Sequence, residues 1–195
     1  FLTQHFLINV TSIFSEDIFN KLSHFMGTNP LVQFVLQPIL IFGVIFHFVM
    51  GFYLEILNAK SRKNNYSKFS GGSNSSWISR NMIFSGGVIL VFLVIHFIDF
   101  WIPEMNYKYV EVLPEDPNRY FEELVHKFES PLKTAIYSFS FIFLALHLLH
   151  GFSSSFKTVG VDSKYYNLIQ KGTFLFSVII PAGFVFIAIF HNLTS

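Results

Sequence analysis

The chain contains no cysteine, which removes disulfides, cysteine-ligated zinc, iron–sulfur clusters and thioether-attached haem from its own chemistry. Charge is also scarce: 13% of the 195 residues are Asp, Glu, Lys or Arg, against roughly 25% in a soluble domain. The 13 bases and 12 acids leave a formal net charge of +1, which gives no reason to expect nucleic acid. No segment repeats at a period of about 20–50 residues. What the chain has instead is apolar surface. Hydrophobic residues make up 52% of it, and 27 residues are Phe. So few charges cannot make a water-facing shell around that much Phe, Ile and Leu. The sequence predicts an integral membrane protein.

Residues 31–57, 82–102, 132–156 and 173–191 are mostly apolar blocks of about 20 residues or more, the length at which a helix crosses ~30 Å of hydrocarbon. Residues 1–14 are apolar but too short to cross. The chain opens on Phe1 inside that stretch, which is expected to be the outer half of a first span whose start is missing. Continuous runs without period-two alternation argue against a β-barrel. The expected fold class is all-α: one membrane domain over residues 1–195, a five-transmembrane-helix bundle with its first helix truncated.

Lys60, Arg62, Lys63, Lys68 and Arg80 lie between spans two and three with no acid, around a Ser/Asn-rich loop holding Gly71 and Gly72. Lys157, Lys164 and Lys171 follow span four against the single acid Asp162. The 103–130 connection instead carries Glu104, Glu111, Glu115, Asp116, Glu122, Glu123 and Glu129 against three bases. The Lys/Arg excess marks the first two connections as cytoplasmic, and the alternation suits five spans with the missing N-terminus inside. Within the outer connections, Ile18, Phe19, Leu22 and Phe25 share one helical face, as do Phe121, Leu124, Val125 and Phe128. Short helices along the interface, or loops packed on the bundle, are expected there.

Histidine is costly in hydrocarbon, because lipid cannot satisfy its hydrogen bonds. His47, His96 and His147 nevertheless lie well inside spans, and His5 lies in the truncated one. Helical rise gives their depths. His96 follows Arg80 by 16 residues, ~24 Å, and precedes Pro103 by seven, ~10 Å, so it is outer. His147 precedes Lys157 by ten residues, ~15 Å, and His47 precedes Lys60 by 13, so both are nearer the inside. His5 ends an inside-to-outside helix and is outer. The four sort into His5 with His96 and His47 with His147, an arrangement suited to two bis-histidine haems stacked across a membrane. Gly51 and Gly151 follow His47 and His147 by four residues, where a flat macrocycle or a neighbouring helix can approach. Arg80, Lys157 and Ser153 to Ser155 are candidates for inner propionates. His150 is a rival ligand or propionate partner, and His24, His126 and His191 are expected in surface or interfacial roles.

QHFLIN at residues 4–9, FNKLSHFM at 19–26, HFVMG at 47–51, IHFIDFW at 95–101 and HLLHG at 147–151 resemble the di-haem cytochrome b subunit of succinate:quinone oxidoreductases and quinol:fumarate reductases. The single-subunit five-helix type of Bacillus-like and Bacteroidetes-like bacteria is the nearest likeness, over nearly the whole chain. The resemblance implies two haems b, with His5 and His96 as iron ligands of the distal haem and His47 and His147 of the proximal one. It implies a flavoprotein and an iron–sulfur subunit as partners on the cytoplasmic face of a bacterial cytoplasmic membrane. Electrons would be exchanged with menaquinone, in the direction of either succinate dehydrogenase or fumarate reductase. Two rival readings are the cytochrome b of a formate dehydrogenase, hydrogenase or nitrate reductase, and a transporter using intramembrane histidines as a proton relay.

Quinone chemistry needs a titratable group near one haem. Asp99, three residues after His96 and beside Trp101, is the first candidate, with a helix partner or interfacial water as its plainer role. His24, next to Phe25 and Met26, is the second. Glu55 is the inner counterpart, expected rather to pair with a Lys or Arg.

Overall fold

The apolar blocks become long helices, and the acidic connections become short ones laid across one end of them. The computed structural model describes residues 1–61, 82–159 and 163–195, and among these it contains helices and no strand. Helix α1 is Leu2–Thr11 and α2 is Glu16–Thr28. Helix α3 opens with a π-helical turn, Val32–Leu36, and continues as Gln37–Ser61. Helix α4 starts as Met82–His96 and runs on through Phe97–Trp101, Ile102–Met105 and Asn106–Val110. Arg119–Phe128 forms α5, Pro131–Val159 α6 and Ser163–Thr194 α7. Four of them, α3, α4, α6 and α7, are long and apolar enough to cross a membrane; α1, at ten residues, is not.

Local chemistry sets the helix starts. The Asn29 side-chain oxygen accepts from the backbone N–H of Leu31 at 3.0 Å and Val32 at 3.3 Å, capping α3. Ser15 caps α2, accepting from the Ile18 N–H at 3.3 Å, with Glu16 and Asp17 in the first turn beside the positive helix end.

Two expected boundaries are corrected. Pro103 does not end α4, which continues to Val110. The turn before it is π-helical, with the Ile102 N–H bonded to the Phe97 carbonyl, so the ladder has already shifted register where proline withholds its donor. The chain turns away only after Glu111, where Val112 takes φ 50°. After span four, Lys157 and Lys164 to Lys171 lie on the ends of α6 and α7 rather than in an open connection. Arg62, Lys63, Lys68, Gly71, Gly72, Arg80 and Asp162 fall outside the described residues, as do the side chains of Ser153, Lys157 and Lys164.

The helices pack as a row: α1 on α7, α7 on α6, α6 on α4, and α3 on α4, with the opening turn of α3 against α2. At one end α2 lies against α5, and both touch the ends of the row. The apolar core lies nearer this end, where Phe19, Leu124 and Phe128 meet Phe92, Tyr137, Phe141 and Phe184. Buried Asn20 joins the two short helices, donating to the Asn118 carbonyl at 3.0 Å and accepting from the Phe121 N–H at 2.8 Å.

Candidate functional site: two histidine pairs and the groups around them

The structure brings His5 beside His96, with ring centroids 5.9 Å apart and planes at 82°. It brings His47 beside His147 in nearly the same way, at 6.0 Å and 83°. Each pair joins helices that are not close neighbours: neither α1 with α4 nor α3 with α6 is among the closely packed helix pairs. The imidazoles of each pair therefore meet across a gap.

Around the second pair, Ser85 donates its hydroxyl to the Met82 carbonyl at 2.9 Å. Its oxygen is then the acceptor for His147 Nδ1, 3.2 Å away. Such a bond puts the His147 proton on Nδ1 and leaves Nε2 as a lone pair. His47 is exposed on the flank of α3. A Cβ added at Gly43, Gly51 or Gly87 would meet nothing within 4 Å, so the backbone there borders open space. Gly151 differs, because its Cβ position lies 3.8 Å from Met82 Cε, which is ordinary helix packing. His150 is half-buried one turn beyond His147.

Around the first pair, His5 lies 5.5 Å from the Phe184 ring and His96 5.1 Å from Phe100. His96 Nδ1 is buried with no hydrogen-bond partner. Asp99 lies in the π-helical turn that follows His96 and is buried. Both of its oxygens are taken: Lys133 donates to Oδ1 at 2.7 Å and Tyr137 to Oδ2 at 2.8 Å. Its observed contacts are thus the helix-partner alternative, a tie from α4 to α6. Glu55 has no Lys or Arg partner among the described residues.

His24 lines a cavity of about 250 Å³ between α2, the end of α4 and the start of α5. Its Nδ1 is buried without a partner, and Nε2 lies 4.0 Å from Glu115. Arg119 forms the wall, stacked on Tyr107 at 4.1 Å and Tyr120 at 4.4 Å, and paired with Glu104 and Glu123. Burial alone would lower the Arg119 guanidinium; its bonds to the two carboxylates outweigh that and raise it. Burial, with the Glu104 charge beside it, pushes the Tyr120 phenol up to about 12. The cavity is strongly polar, and Lys108, Glu115 and Asp116 also line it.

His126 is exposed beside Glu129, as expected for a surface histidine. His191 is not at the surface. It is 1% exposed, and its Nε2 is 2.8 Å from Ser12 Oγ, also buried. The polar ends of α1 and α7 bury one another, a contact that sequence alone does not reveal because 179 residues separate the two groups. The available signal was a histidine placed just inside the end of an apolar helix.

No protein-family model, curated protein or solved structure matches the chain.

Proposed function

We propose that the chain is the membrane-anchoring cytochrome b of a succinate:quinone oxidoreductase, with His5 and His96 holding an outer haem b and His47 and His147 an inner one. The observation that carries the proposal is the matched pair of imidazole separations, 5.9 and 6.0 Å. Two metal–nitrogen bonds of about 2 Å, plus roughly 1 Å from each nitrogen to its ring centre, also sum to ~6 Å. A bare ion takes three or four protein ligands, and no group of three or more His, Cys, Asp or Glu able to hold one occurs among the described residues. A haem would bring ring nitrogens of its own and would need only two ligands from the protein. The gap between non-adjacent helices and the open space at Gly51 and Gly87 fit such a group. So does the exposed ring of His47, which hydrocarbon could not satisfy.

When bound, the haems supply one-electron carriage across the membrane between an iron–sulfur subunit and menaquinone. The chain's own part is to bind and orient them: Ser85 fixes the His147 tautomer, and Asp99 ties α4 to α6 beside His96. The resemblance of the five motifs supports the assignment of partners; the Lys/Arg distribution supports only which end faces the cytoplasm, where the flavoprotein and iron–sulfur subunits would dock.

The test is a reduced-minus-oxidised spectrum of the purified chain and its variants. His47→Ala or His147→Ala is expected to remove one low-spin haem b, His5→Ala or His96→Ala the other, and His150→Ala neither. Absence of any reducible haem b refutes the proposal. Co-purification with a covalent-flavin subunit separates it from the cytochromes of other respiratory dehydrogenases.

A further inference from the structure

Met82–His96 carries a single hydroxyl, that of Ser85, and the residue is buried. A serine in an apolar span needs no outside partner, because its hydroxyl can donate back to the preceding turn. Ser85 does so, reaching the Met82 carbonyl at 2.9 Å. Its oxygen nevertheless faces a second group across the contact between α4 and α6, His147 Nδ1 at 3.2 Å. With the hydroxyl proton already committed to Met82, Nδ1 is the donor of that bond. The next residue holds the same edge of the ring: the Cβ position of Gly86 lies 3.7 Å from His147 Cε1, so a glycine there lets the α4 backbone lie close to the imidazole.

The other histidine pair has no counterpart. His96 Nδ1 is buried without a partner. His5 Nδ1 faces the Asn9 side-chain nitrogen at 3.4 Å. That nitrogen also bonds to the His5 carbonyl at 2.8 Å, which fixes it as a donor, unable to accept a proton from the ring. Of these three rings, only His147 has an acceptor set against Nδ1.

We propose that Ser85 is a positioning residue for the inner haem and sets its reduction potential apart from that of the outer one. By holding the His147 proton on Nδ1, Ser85 keeps Nε2 as the lone pair available to iron. By accepting from Nδ1–H, it makes His147 a stronger donor. A stronger donor favours the more positively charged, ferric state, so Ser85 lowers the potential of the haem that His147 holds. The inference rests on the haem assignment proposed above. One hydrogen bond shifts an equilibrium by up to about tenfold, and tenfold in a one-electron couple is ~59 mV.

The experiment is an optical redox titration of haem b in membranes that contain the full chain. Ser85→Ala should keep both haems and raise the ferrous-to-ferric ratio of one by roughly three- to tenfold at a fixed potential. The haem that shifts should be the one missing from His147→Ala, while the other stays at its parent value. Ser85→Thr, which restores a hydroxyl, should return the parent curve. No shift in Ser85→Ala, an equal shift in both haems, or Ser85→Thr titrating like Ser85→Ala overturns the proposal. Should the Ser85 variants fail to fold, nitrogen-15 NMR of the histidine-labelled parent chain in bilayers, prepared without haem, decides. Its His147 signals, identified by their loss in His147→Ala, should report a proton on Nδ1, and a proton on Nε2 overturns the proposal. A proton on Nδ1 in a chain that takes up no haem b upholds the Ser85–His147 bond and refutes the cytochrome assignment.

Discussion

Replacing Gly183 by alanine should loosen α1 from the bundle. Gly183 is on α7 where Phe6 of α1 crosses it. A Cβ there would overlap Phe6 Cε2 and come within 2.6 Å of Cζ and 3.4 Å of Cδ2. Carbon atoms in contact sit about 3.5–4 Å apart, so the ring must retreat by roughly 1 Å. It cannot do so freely, because Phe6 also packs edge-on against Phe184 at 5.4 Å. Phe184 in turn touches the His5 ring at 5.5 Å. Strain entering at Phe6 therefore reaches the histidine next to it.

Overpacking of this kind costs about 1–3 kcal/mol. Helix α1 packs chiefly on α7 and α2, so strain at its contact with α7 is expected to detach it locally before global unfolding. Thermal unfolding of the detergent-solubilised protein, with proteolysis within residues 1–14 as the local probe, gives the measurement. Gly183→Ala should lower stability by the stated amount and expose α1. Adding Phe6→Leu should recover part of the loss, with a coupling energy of about 0.5–3 kcal/mol. A Gly183→Ala protein within about 0.5 kcal/mol of the parent, or a double variant no more stable than Gly183→Ala alone, would refute the packing argument.

Asn20→Ala strips two hydrogen bonds from the α2–α5 joint and should cost ~1 kcal/mol, since the Asn118 carbonyl and the half-buried Phe121 N–H lose their partner; unchanged melting would show that water replaces it. Val112→Gly should stabilise by roughly 1 kcal/mol, since a β-branched residue at φ 50° is strained, and a lower melting temperature contradicts that. Tyr120 stays neutral to about pH 12 when folded, whereas its ordinary value is 10.0. Its contribution to stability is therefore complete below about pH 10 and is lost as pH rises towards 12. Tyr120→Phe should flatten that part of the alkaline stability curve, and an unaltered slope discounts the shift. Asp99→Asn keeps an acceptor for Tyr137 but leaves Lys133 uncompensated. The α4–α6 tie should loosen and the melting temperature fall, with the haem held by His96 lost on heating before the other; an unchanged melting temperature refutes the tie.

What the sequence makes legible follows from the physics each feature depends on. Span existence depends on length and hydropathy alone, and all four long apolar blocks are helices. Depth depends on rise per residue, so counting from charged ends is enough to group His5 with His96 and His47 with His147, the same rings that meet at about 6 Å. Helix ends are harder, because they depend on hydrogen-bond register. Pro103 reads as a stop until the π-turn before it is known, since a ladder already shifted by one residue does not need the donor that proline lacks. Azimuth is hardest of all. Nothing local says that Asp99 faces Lys133 and Tyr137, or that His191 meets Ser12. In an apolar chain of this kind, polar groups near span ends have two ways to be satisfied, by interfacial water or by each other. Hydropathy weighs both alike. The choice is made by which helices lie side by side, and here α1 against α7 encloses the Ser12–His191 pair. His191, which sequence reasoning places at the surface, is buried instead because its partner Ser12 lies at the end of a helix 179 residues away in the chain.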